Sequence, residues 1–272
     1  MNCDAAKLIY FSPTSTTRKV VEEIVRGIGP ARLEHLNLTL PDSRDREYAL
    51  SQDDLAIIGM PVYAGRLPAE AVARLRKIKG NNAAAVIVVV YGNRAYEDAL
   101  VELQDVAQEA GFRPVAAAAF IGEHSYATDD AHIAWKRPDQ DDLARAFDFG
   151  QKVRESLGQI ADEAAMPSLQ VPGNRPYQES RLPKNLTPLS HEFCTRCEDC
   201  ISLCPTGAIA LSDNAIVTDA SLCILCCACV KACTTGARAM EDERIQKMRA
   251  ILTTKFSERR EPEMFYLAAM LD

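Results

Sequence analysis

Two cysteine runs with the same spacing constrain this chain more than any other feature of its sequence. Each run reads Cys-x2-Cys-x2-Cys-x3-Cys. Together they contain Cys194, Cys197, Cys200, Cys204, Cys223, Cys226, Cys229 and Cys233. The N-terminus, MNCDAAKLIYF, lacks the positive segment and apolar run of an export signal. Clustered cysteines in such a chain indicate metal ligation rather than disulfide bonds.

The spacing is that of bacterial two-cluster ferredoxins, in which the fourth cysteine of each run binds the other cluster. It therefore predicts two [4Fe-4S] clusters with crossed ligands. The first would be bound by Cys194, Cys197, Cys200 and Cys233, and the second by Cys223, Cys226, Cys229 and Cys204. Structural zinc is the alternative, but zinc sites usually pair two Cys-x2-Cys knuckles, and two four-cysteine runs fit that pattern poorly.

The residues after each run also repeat, which indicates a pseudo-twofold segment. Pro205-Thr206-Gly207-Ala208 follows the first run, and Thr234-Thr235-Gly236-Ala237 follows the second. Proline shapes the turn but supplies no ligand, so we expect Thr234 to cause only a local change. Cys227 stands beside Cys226 without breaking the spacing, and we expect it to be a small buried residue.

The N-terminal half of the chain alternates predicted strands and helices. The predicted strands are Lys7–Phe11, Ala31–Leu38, Leu55–Met60, Ala83–Tyr91 and Arg113–Ile121. The predicted helices are Thr16–Ile28, Pro68–Ile78, Ala95–Ala110 and Asp139–Ile160. This alternation predicts an α/β fold with a doubly wound, five-stranded parallel sheet, in which ligands bind beyond the carboxyl ends of the strands.

The loop between the first strand and the first helix is crowded with hydroxyl groups. It contains Ser12, Thr14, Ser15, Thr16 and Thr17. Free N–H groups and the dipole at a helix N-terminus favour an anion, and hydroxyls add donors, so the loop predicts a phosphate site. Helix capping is the simpler alternative, but one hydroxyl suffices for a cap. The loop contains neither a GxxxxGK[ST] motif nor a GxGxxG motif.

Two further loops follow predicted strands at the same edge of the sheet. The segments Pro61–Pro68 and Tyr91–Tyr96 both offer aromatic side chains and glycines. A flat ring system needs apolar or aromatic faces and backbone groups at its polar edge. The two loops, taken with the phosphate loop, therefore indicate one cofactor site.

These three loops resemble the phosphate loop and the two flavin loops of flavodoxins. Together with the ferredoxin-type runs, and with the segments PVYAGRLP, YGNRAYEDAL and AFIGEHSY, the chain resembles the flavodoxin–ferredoxin fusion proteins of anaerobic bacteria and archaea. The resemblance implies a flavodoxin-like domain that binds FMN, followed by a two-cluster ferredoxin domain.

The resemblance also implies roles for individual residues around the FMN. The FMN phosphate would be held by Ser12, Thr14, Ser15, Thr16 and Thr17. The flavin ring would lie along Pro61, Val62, Tyr63, Ala64 and Gly65. The wall on the other side of the ring would be formed by Tyr91, Gly92, Asn93 and Arg94. Short flavodoxins usually carry a Gly-Asn pair where Ser15-Thr16 stands here. Arg94 would add positive charge near the ring, stabilising reduced flavin.

Composition and periodicity suggest the following boundaries. We expect a flavodoxin-like domain over residues 1–165, a Pro-rich linker over 166–189, a ferredoxin domain over 190–240 and a helical tail over 241–272. The tail would contain one helix from Glu241 to Lys255 and another over Pro262–Leu271.

An internal electron relay is the function that these features favour. FMN and two clusters would exchange electrons with an external redox protein, such as a ferredoxin-type donor or acceptor. Two alternatives stay open: an FMN-dependent reductase of a small substrate, and a redox-sensing or assembly protein with structural clusters. Whether the chain is an enzyme is left open, as are the roles of His124 and Tyr126.

Charge and hydropathy restrict the partners. The net charge of -7 argues against binding a nucleic acid backbone. No apolar run reaches the length of a membrane span, so we expect a cytoplasmic protein. A homodimer would be one way to bring the clusters of one chain to the flavin of another.

Overall fold

Strands and helices alternate regularly through the N-terminal half of the chain and become short after it. The computed structural model of the protein describes residues 4–159 and 168–267. In chain order, the strands are β1 (Ala5–Tyr10), β2 (Arg32–Asn37), β3 (Tyr48–Ala49), β4 (Leu55–Pro61), β5 (Ile78–Lys79), β6 (Ala84–Tyr91), β7 (Arg113–Ile121), β8 (Leu189–Ser190), β9 (Ile209–Ser212), β10 (Ala215–Thr218), β11 (Arg238–Ala239) and β12 (Glu263–Tyr266). The helices are α1 (Thr16–Ile28), α2 (Ala69–Leu75), α3 (Ala99–Glu109), α4 (Gln140–Gln159), α5 (Asp199–Ser202), α6 (Ala228–Lys231) and α7 (Glu243–Lys255).

The main sheet has the strand order β12-β7-β6-β4-β1-β2. The five strands β1, β2, β4, β6 and β7 are parallel to one another, and only β12 is antiparallel. Counted among the parallel strands alone, the order is 2-1-3-4-5, which is the flavodoxin-like order. The predicted five-stranded parallel sheet is therefore confirmed, and β1 and β4 flank its switch point.

The apolar runs of the sequence form the centre of this sheet. Every residue of β4 and of β6 is buried, as expected for strands covered by helices on both faces. The apolar stripe of α1 is buried as well, and α1 packs against α4. A Cβ on Gly27 would lie 2.0 Å from the Phe147 carbonyl oxygen, so this helix pair approaches too closely for any other residue there.

Helix α3 begins later than predicted, at Ala99 instead of Ala95. Asn93 and Glu97 have φ values of 67° and 46°, in the left-handed region. A right-handed helix cannot continue through such residues, so the segment before Ala99 forms a loop. This difference matters because that loop lies at the carboxyl edge of the sheet.

The C-terminal part of the chain corrects one prediction. A second helix was expected over Pro262–Leu271, but Glu263–Tyr266 forms β12, which pairs antiparallel with Ala116–Ala119 of β7. The edge of β7 would otherwise present unpaired N–H and C=O groups, and a short segment with two aromatic residues satisfies them. The rest of the expected helix, from residue 268, lies outside the described residues.

The cysteine-rich segment is built from short paired elements. Strands β9 and β10 form one antiparallel hairpin, and β8 pairs with β11. The four-residue helices α5 and α6 each follow the second cysteine of a run.

The described part of the linker, from residue 168, has no regular structure before β8 and lies along α3. Asn174 donates to Asp98, and Arg175 pairs with Asp105 at 2.6 Å. Among the described residues, no helix is long and apolar enough to cross a membrane.

Candidate functional site

A cavity of about 310 Å³, which we call the sheet-edge cavity, lies at the carboxyl edge of the main sheet. The loops that follow β1, β4, β6 and β7 all contribute to its wall, as the doubly wound topology requires. All of the residues predicted to hold FMN line it except Ser12, Ser15 and Asn93. The lining residues among them are Thr14, Thr16, Thr17, Pro61, Val62, Tyr63, Ala64, Gly65, Tyr91, Gly92 and Arg94.

The N-terminus of α1 forms one end of this cavity. Thr17 lines the cavity, and its Oγ1 is a buried atom without a hydrogen-bond partner among the described residues. The first N–H groups of any helix lack partners within the helix. A free hydroxyl beside such N–H groups supplies the donors that a phosphate accepts from, so this end fits the phosphate of a nucleotide.

The three predicted residues that do not line the cavity have other contacts. The Ser12 Oγ accepts a hydrogen bond from the Arg18 N–H at 3.0 Å, so this hydroxyl caps α1. Ser15 precedes α1 with a φ of 64° and makes no side-chain cap. The Asn93 amide donates to the carbonyls of Phe256 and Glu258, so it binds the segment between α7 and β12.

Arg94 does line the cavity, but its charge is compensated. Its guanidinium pairs with Glu97 at 2.7 Å. Neither side chain is fully buried. Burial opposes ionisation of Glu97, but the hydrogen bond from the Arg94 guanidinium, with further partners, lowers the pKa of this carboxyl below its ordinary value. Arg94 therefore brings less net positive charge to the site than the sequence alone suggests.

The loop after β7 contributes His124 and Tyr126, whose roles the sequence left open. The Tyr126 N–H donates to the His124 Nδ1 at 3.0 Å, which assigns the ring hydrogen of a neutral imidazole to Nε2. Burial, followed by the charges of Lys231, Arg94 and Arg249, lowers the pKa of His124 to about 4. The cavity wall thus contains a neutral imidazole. Gly92 packs against it so closely that a Cβ there would lie 2.3 Å from the ring.

The opposite wall of the cavity comes from the C-terminal half of the chain, and sequence reasoning missed it. The lining residues from that half are Arg181, Leu182, Pro183, Leu225, Arg244, Ile245, Met248 and Leu252. They belong to the linker, the second cysteine run and α7. Nothing in their local sequence marks a cofactor wall, because only tertiary packing brings these segments to the sheet edge.

The eight predicted cysteine ligands surround two separate smaller cavities. Cys194, Cys197, Cys200 and Cys233 line one, which we call the outer cavity. Cys204, Cys223, Cys226 and Cys229 line the other, which we call the inner cavity. In each case the fourth cysteine of one run joins three cysteines of the other. Within the described residues no group of His, Cys, Asp and Glu is spaced to hold a single metal ion.

The backbone of the two runs is unusual at matching positions. Arg196 and Glu198 in the first run have φ values of 58° and 64°, and Leu225 and Cys227 in the second have 56° and 57°. Non-glycine residues adopt such angles at a cost of about 1–3 kcal/mol each, and they cluster at functional sites. The same strain at the same two positions indicates that both loops are shaped around the same kind of group.

The fourth cysteine of each run accepts a hydrogen bond from a backbone N–H a few residues further along the chain. The Ala208 N–H donates to the Cys204 Sγ at 3.2 Å, and the Arg238 N–H donates to the Cys233 Sγ at 3.4 Å. Cys227 is 2% exposed and packs with Tyr126, as a small buried residue would. Bonds from backbone N–H groups to sulfur are a means of tuning iron–sulfur clusters, so both cavities fit such clusters.

The inner cavity lies against the sheet-edge cavity. Leu225 lines the sheet-edge cavity and stands between Cys223 and Cys226 in the chain. Burial, followed by the nearby thiols of Cys226 and Cys227, raises the pKa of Tyr63, which lines the same cavity. The two sites are therefore adjacent, because Leu225 of the sheet-edge cavity lies in the loop that carries Cys223 and Cys226 of the inner cavity.

Buried and half-buried cations fix this arrangement. The Arg74 guanidinium donates to the Leu38 carbonyl at 2.6 Å and to the Pro205 carbonyl at 2.5 Å. Arg44 donates to the Thr206 carbonyl at 2.9 Å. On the other side, Lys231 pairs with Glu123 at 2.6 Å. The segment after Cys204 is thereby attached to the edge of the main sheet.

Comparison with known proteins supports the two halves separately. Residues 189–247 match the family model of a 4Fe-4S dicluster domain. No curated protein matches the chain. Among solved structures, an archaeal flavodoxin is 13% identical and covers 57% of this chain and 99% of its own, with a TM-score of 0.37. A Fusobacterium nucleatum flavodoxin bound to flavin mononucleotide is 15% identical over 56% of this chain and 97% of its own, with a TM-score of 0.37.

These structural similarities are too low to carry a functional argument, so the fold assignment depends on the strand order of the chain itself. That order defines a flavodoxin-like α/β fold, and the family match defines a 4Fe-4S dicluster segment. The chain thus joins a flavodoxin-like fold to a segment that matches a 4Fe-4S dicluster domain, which is the combination that the sequence resemblance implied.

Proposed function

We propose that the chain is an electron-transfer protein in which FMN, bound in the sheet-edge cavity, exchanges electrons with two [4Fe-4S] clusters bound in the inner and outer cavities. The observation that carries this proposal is the adjacency of the sheet-edge cavity and the inner cavity. Leu225 lines the sheet-edge cavity and is flanked in the chain by two of the cysteines that line the inner cavity. Donor and acceptor sites that lie next to each other suit internal electron exchange.

The residues present fit both kinds of cofactor. Thr17 offers an unpartnered hydroxyl at the helix N-terminus, and the tyrosines of the two further loops offer flat faces. Each cysteine cavity offers four thiols from two different runs. When bound, FMN would supply two-electron chemistry and the clusters one-electron steps, so that the chain could interconvert the two.

The protein's own contribution is position and environment. Leu225 and Tyr63 line the sheet-edge cavity, with Leu225 in the loop that carries Cys223 and Cys226, and Arg74 and Arg44 attach the cysteine-rich segment to the rest of the chain. Cys204, Cys226 and Cys229 are buried, whereas Cys197 of the outer cavity is exposed. We therefore assign exchange with an external redox protein to the outer cluster and exchange with FMN to the inner cluster.

The alternative function is reduction of a small substrate by FMN. Such an enzyme needs open space over one face of the ring. Leu182 and Pro183 of the linker and Leu252 of α7 instead line the cavity opposite the sheet edge. This covering wall favours a carrier over a reductase.

Iron, acid-labile sulfide and flavin measured on protein purified without oxygen test the proposal. We expect about eight irons and eight sulfides per chain, as two four-iron clusters require, together with one FMN. Full clusters without flavin would remove FMN from the proposal, and zinc in place of iron would overturn it.

Two matched variants then test the assignment of the two cysteine sets. Cys204→Ala should remove the inner cluster and abolish flavin reduction by the reduced clusters. Cys233→Ala should remove the outer cluster and leave exchange between the inner cluster and flavin intact. Rapid-mixing absorbance at flavin wavelengths measures both. The assignment fails if the two variants behave alike.

A further inference from the structure

Arg238 is a buried guanidinium between the two cysteine cavities. It is 3% exposed and lines the outer cavity. Its backbone N–H donates to the Cys233 Sγ of the outer cavity, and its Nη2 lies 3.8 Å from the Cys229 Sγ of the inner cavity. One residue therefore contacts a sulfur of each set.

This cation has only neutral partners among the described residues. Its Nη1 donates to the Ser190 Oγ and its Nη2 to the Thr218 Oγ1, both at 2.8 Å. Its Nε is buried and has no hydrogen-bond partner in the described part of the chain. A buried cation without a compensating negative charge is strongly unfavourable. Something anionic is needed beside it.

The fold of the segment does not itself require an arginine at this position. In the pseudo-twofold repeat, Thr-Gly-Ala is followed by Ile209 in the first half and by Arg238 in the second. Ile209 is 5% exposed, so an apolar side chain occupies the equivalent buried position. The charge is thus specific to the second half, where it reaches both cavities.

We propose that Arg238 is the built-in counter-charge of both iron–sulfur clusters and raises their reduction potentials. Four thiolates leave each cluster with net negative charge, and every added electron increases it. A fixed cation between the two sites therefore stabilises the reduced state of each. Charge and hydrogen bonds to sulfur are among the factors that set such potentials. The effect should be larger for the inner cluster, because the guanidinium itself approaches the Cys229 Sγ.

The experiment is an anaerobic redox titration of the cluster-loaded protein, followed by electron paramagnetic resonance. Arg238→Met removes the charge and keeps an unbranched side chain. At a fixed potential we expect the ratio of reduced to oxidised inner cluster to fall at least tenfold, which corresponds to 59 mV for one electron. The outer cluster should shift in the same direction by less. Ile209→Met is the control for packing: Ile209 lines the inner cavity but carries no charge, so this variant should change the ratio for the inner cluster by less than about threefold.

Arg238→Lys keeps the positive charge and therefore separates the effect of charge from the effect of hydrogen-bond geometry. We expect its ratio of reduced to oxidised inner cluster to stay within about threefold of the wild type, since charge contributes more than the lost hydrogen-bond geometry. Unmoved potentials in a fully loaded Arg238→Met protein overturn the proposal. If that variant assembles too little iron, a tenfold fall in the Arg238→Lys protein overturns it instead.

This inference rests on the proposed binding of two clusters, and the failures of the two ideas can be distinguished. Absence of iron and sulfide from the wild-type protein would reject the proposed function. Full clusters in the wild type, with potentials insensitive to residue 238, would reject only the role of Arg238.

Discussion

Individual side chains of the sheet-edge cavity have chemistry that the fold alone does not explain. Thr17 has a buried hydroxyl without a partner, and His124 is a neutral imidazole in the cavity wall. Burying an unsatisfied polar group is unfavourable, so proteins retain such groups mainly where a ligand uses them. Both residues therefore yield direct tests.

Thr17→Val should weaken FMN binding without harming the protein. The substitution replaces the hydroxyl by a methyl of similar shape and so removes the proposed hydrogen bond to the FMN phosphate. A hydrogen bond to a charged group contributes about 1.5–3 kcal/mol, which corresponds to roughly a ten- to hundredfold loss of affinity. Quenching of flavin fluorescence by the apoprotein measures this. The unfolding temperature of the apoprotein should not fall, because an unsatisfied buried hydroxyl is removed. Equal FMN affinity in both proteins would contradict the role of Thr17.

The low pKa of His124 predicts a specific loss of stability in acid. The unfolded chain binds a proton at this imidazole below about pH 6.5, whereas the folded chain binds it only near pH 4. The contribution of His124 to stability is therefore complete above pH 6.5 and is lost as the pH falls towards 4, by about 3 kcal/mol in total. Denaturant unfolding at several pH values measures it.

His124→Gln should flatten this pH dependence between pH 6.5 and 4. The exposed His132, which stacks on Trp135, supplies the control, since His132→Gln should retain the dependence. An unchanged acid slope in the His124 variant would show that other groups cause it.

At the scale of secondary structure, the segment after α7 connects the two halves of the chain. Strand β12 adds to the edge of the main sheet, and Tyr96 donates to the Glu263 carboxylate at 2.8 Å. The Asn93 amide donates to the carbonyls of Phe256 and Glu258 and accepts from the Arg260 N–H, and these three residues belong to the segment that connects α7 to β12. The placement of α7 over the sheet-edge cavity thus depends on contacts of a loop that follows β6.

Asn93→Gly should loosen this connection. Glycine adopts the left-handed φ of Asn93 without strain, so the loss can be assigned to the side chain. Each hydrogen bond lost to these partly buried carbonyls should cost about 0.5–1.5 kcal/mol. Hydrogen exchange should accelerate in residues 256–260 and not in β6. Asn174→Gly, in the linker, is a control that should leave residues 256–260 protected.

At the scale of the whole molecule, the docking of the cysteine-rich segment decides the distance between the two kinds of site. Arg74 is 2% exposed and bonds backbone carbonyls on both sides of the interface, together with Glu70. A buried cation that satisfies so many carbonyls leaves them unpaired when it is removed. The interface therefore depends on this residue more than on the exposed pairs around it.

Arg74→Met should lower the free energy of unfolding by about 3–5 kcal/mol, because the buried carbonyls of Leu38, Thr39 and Pro205 lose their donor at about 1–3 kcal/mol each. It should also slow electron exchange between the clusters and flavin. Arg76→Met is the matched control, because Arg76 lies at the end of the same helix and makes an exposed pair with Glu109. That pair should contribute at most about 1 kcal/mol. Denaturant unfolding compares the two, and equal losses would contradict the role of Arg74.

The sequence by itself determined the features that local pattern controls. The valine-rich run of β6 predicts a strand buried on both faces, and the stripe of α1 predicts the helix with its observed bounds. The repeated cysteine spacing predicts which cysteines come together. The doubly wound topology then places the hydroxyl loop and the two tyrosine loops at one sheet edge, because parallel strands end on the same side.

Tertiary structure alone decided what covers that edge. Leu225, Leu182 and Met248 belong to segments far apart in the chain, and no local pattern marks them as neighbours of the sheet-edge cavity. The pairing of Glu263–Tyr266 with β7 is also a tertiary effect. The local sequence of this segment predicts a helix, but the segment instead forms hydrogen bonds with the otherwise unpaired edge of β7. Secondary-structure propensity is a local and weak preference, whereas burial and pairing between distant segments supply the larger free energies.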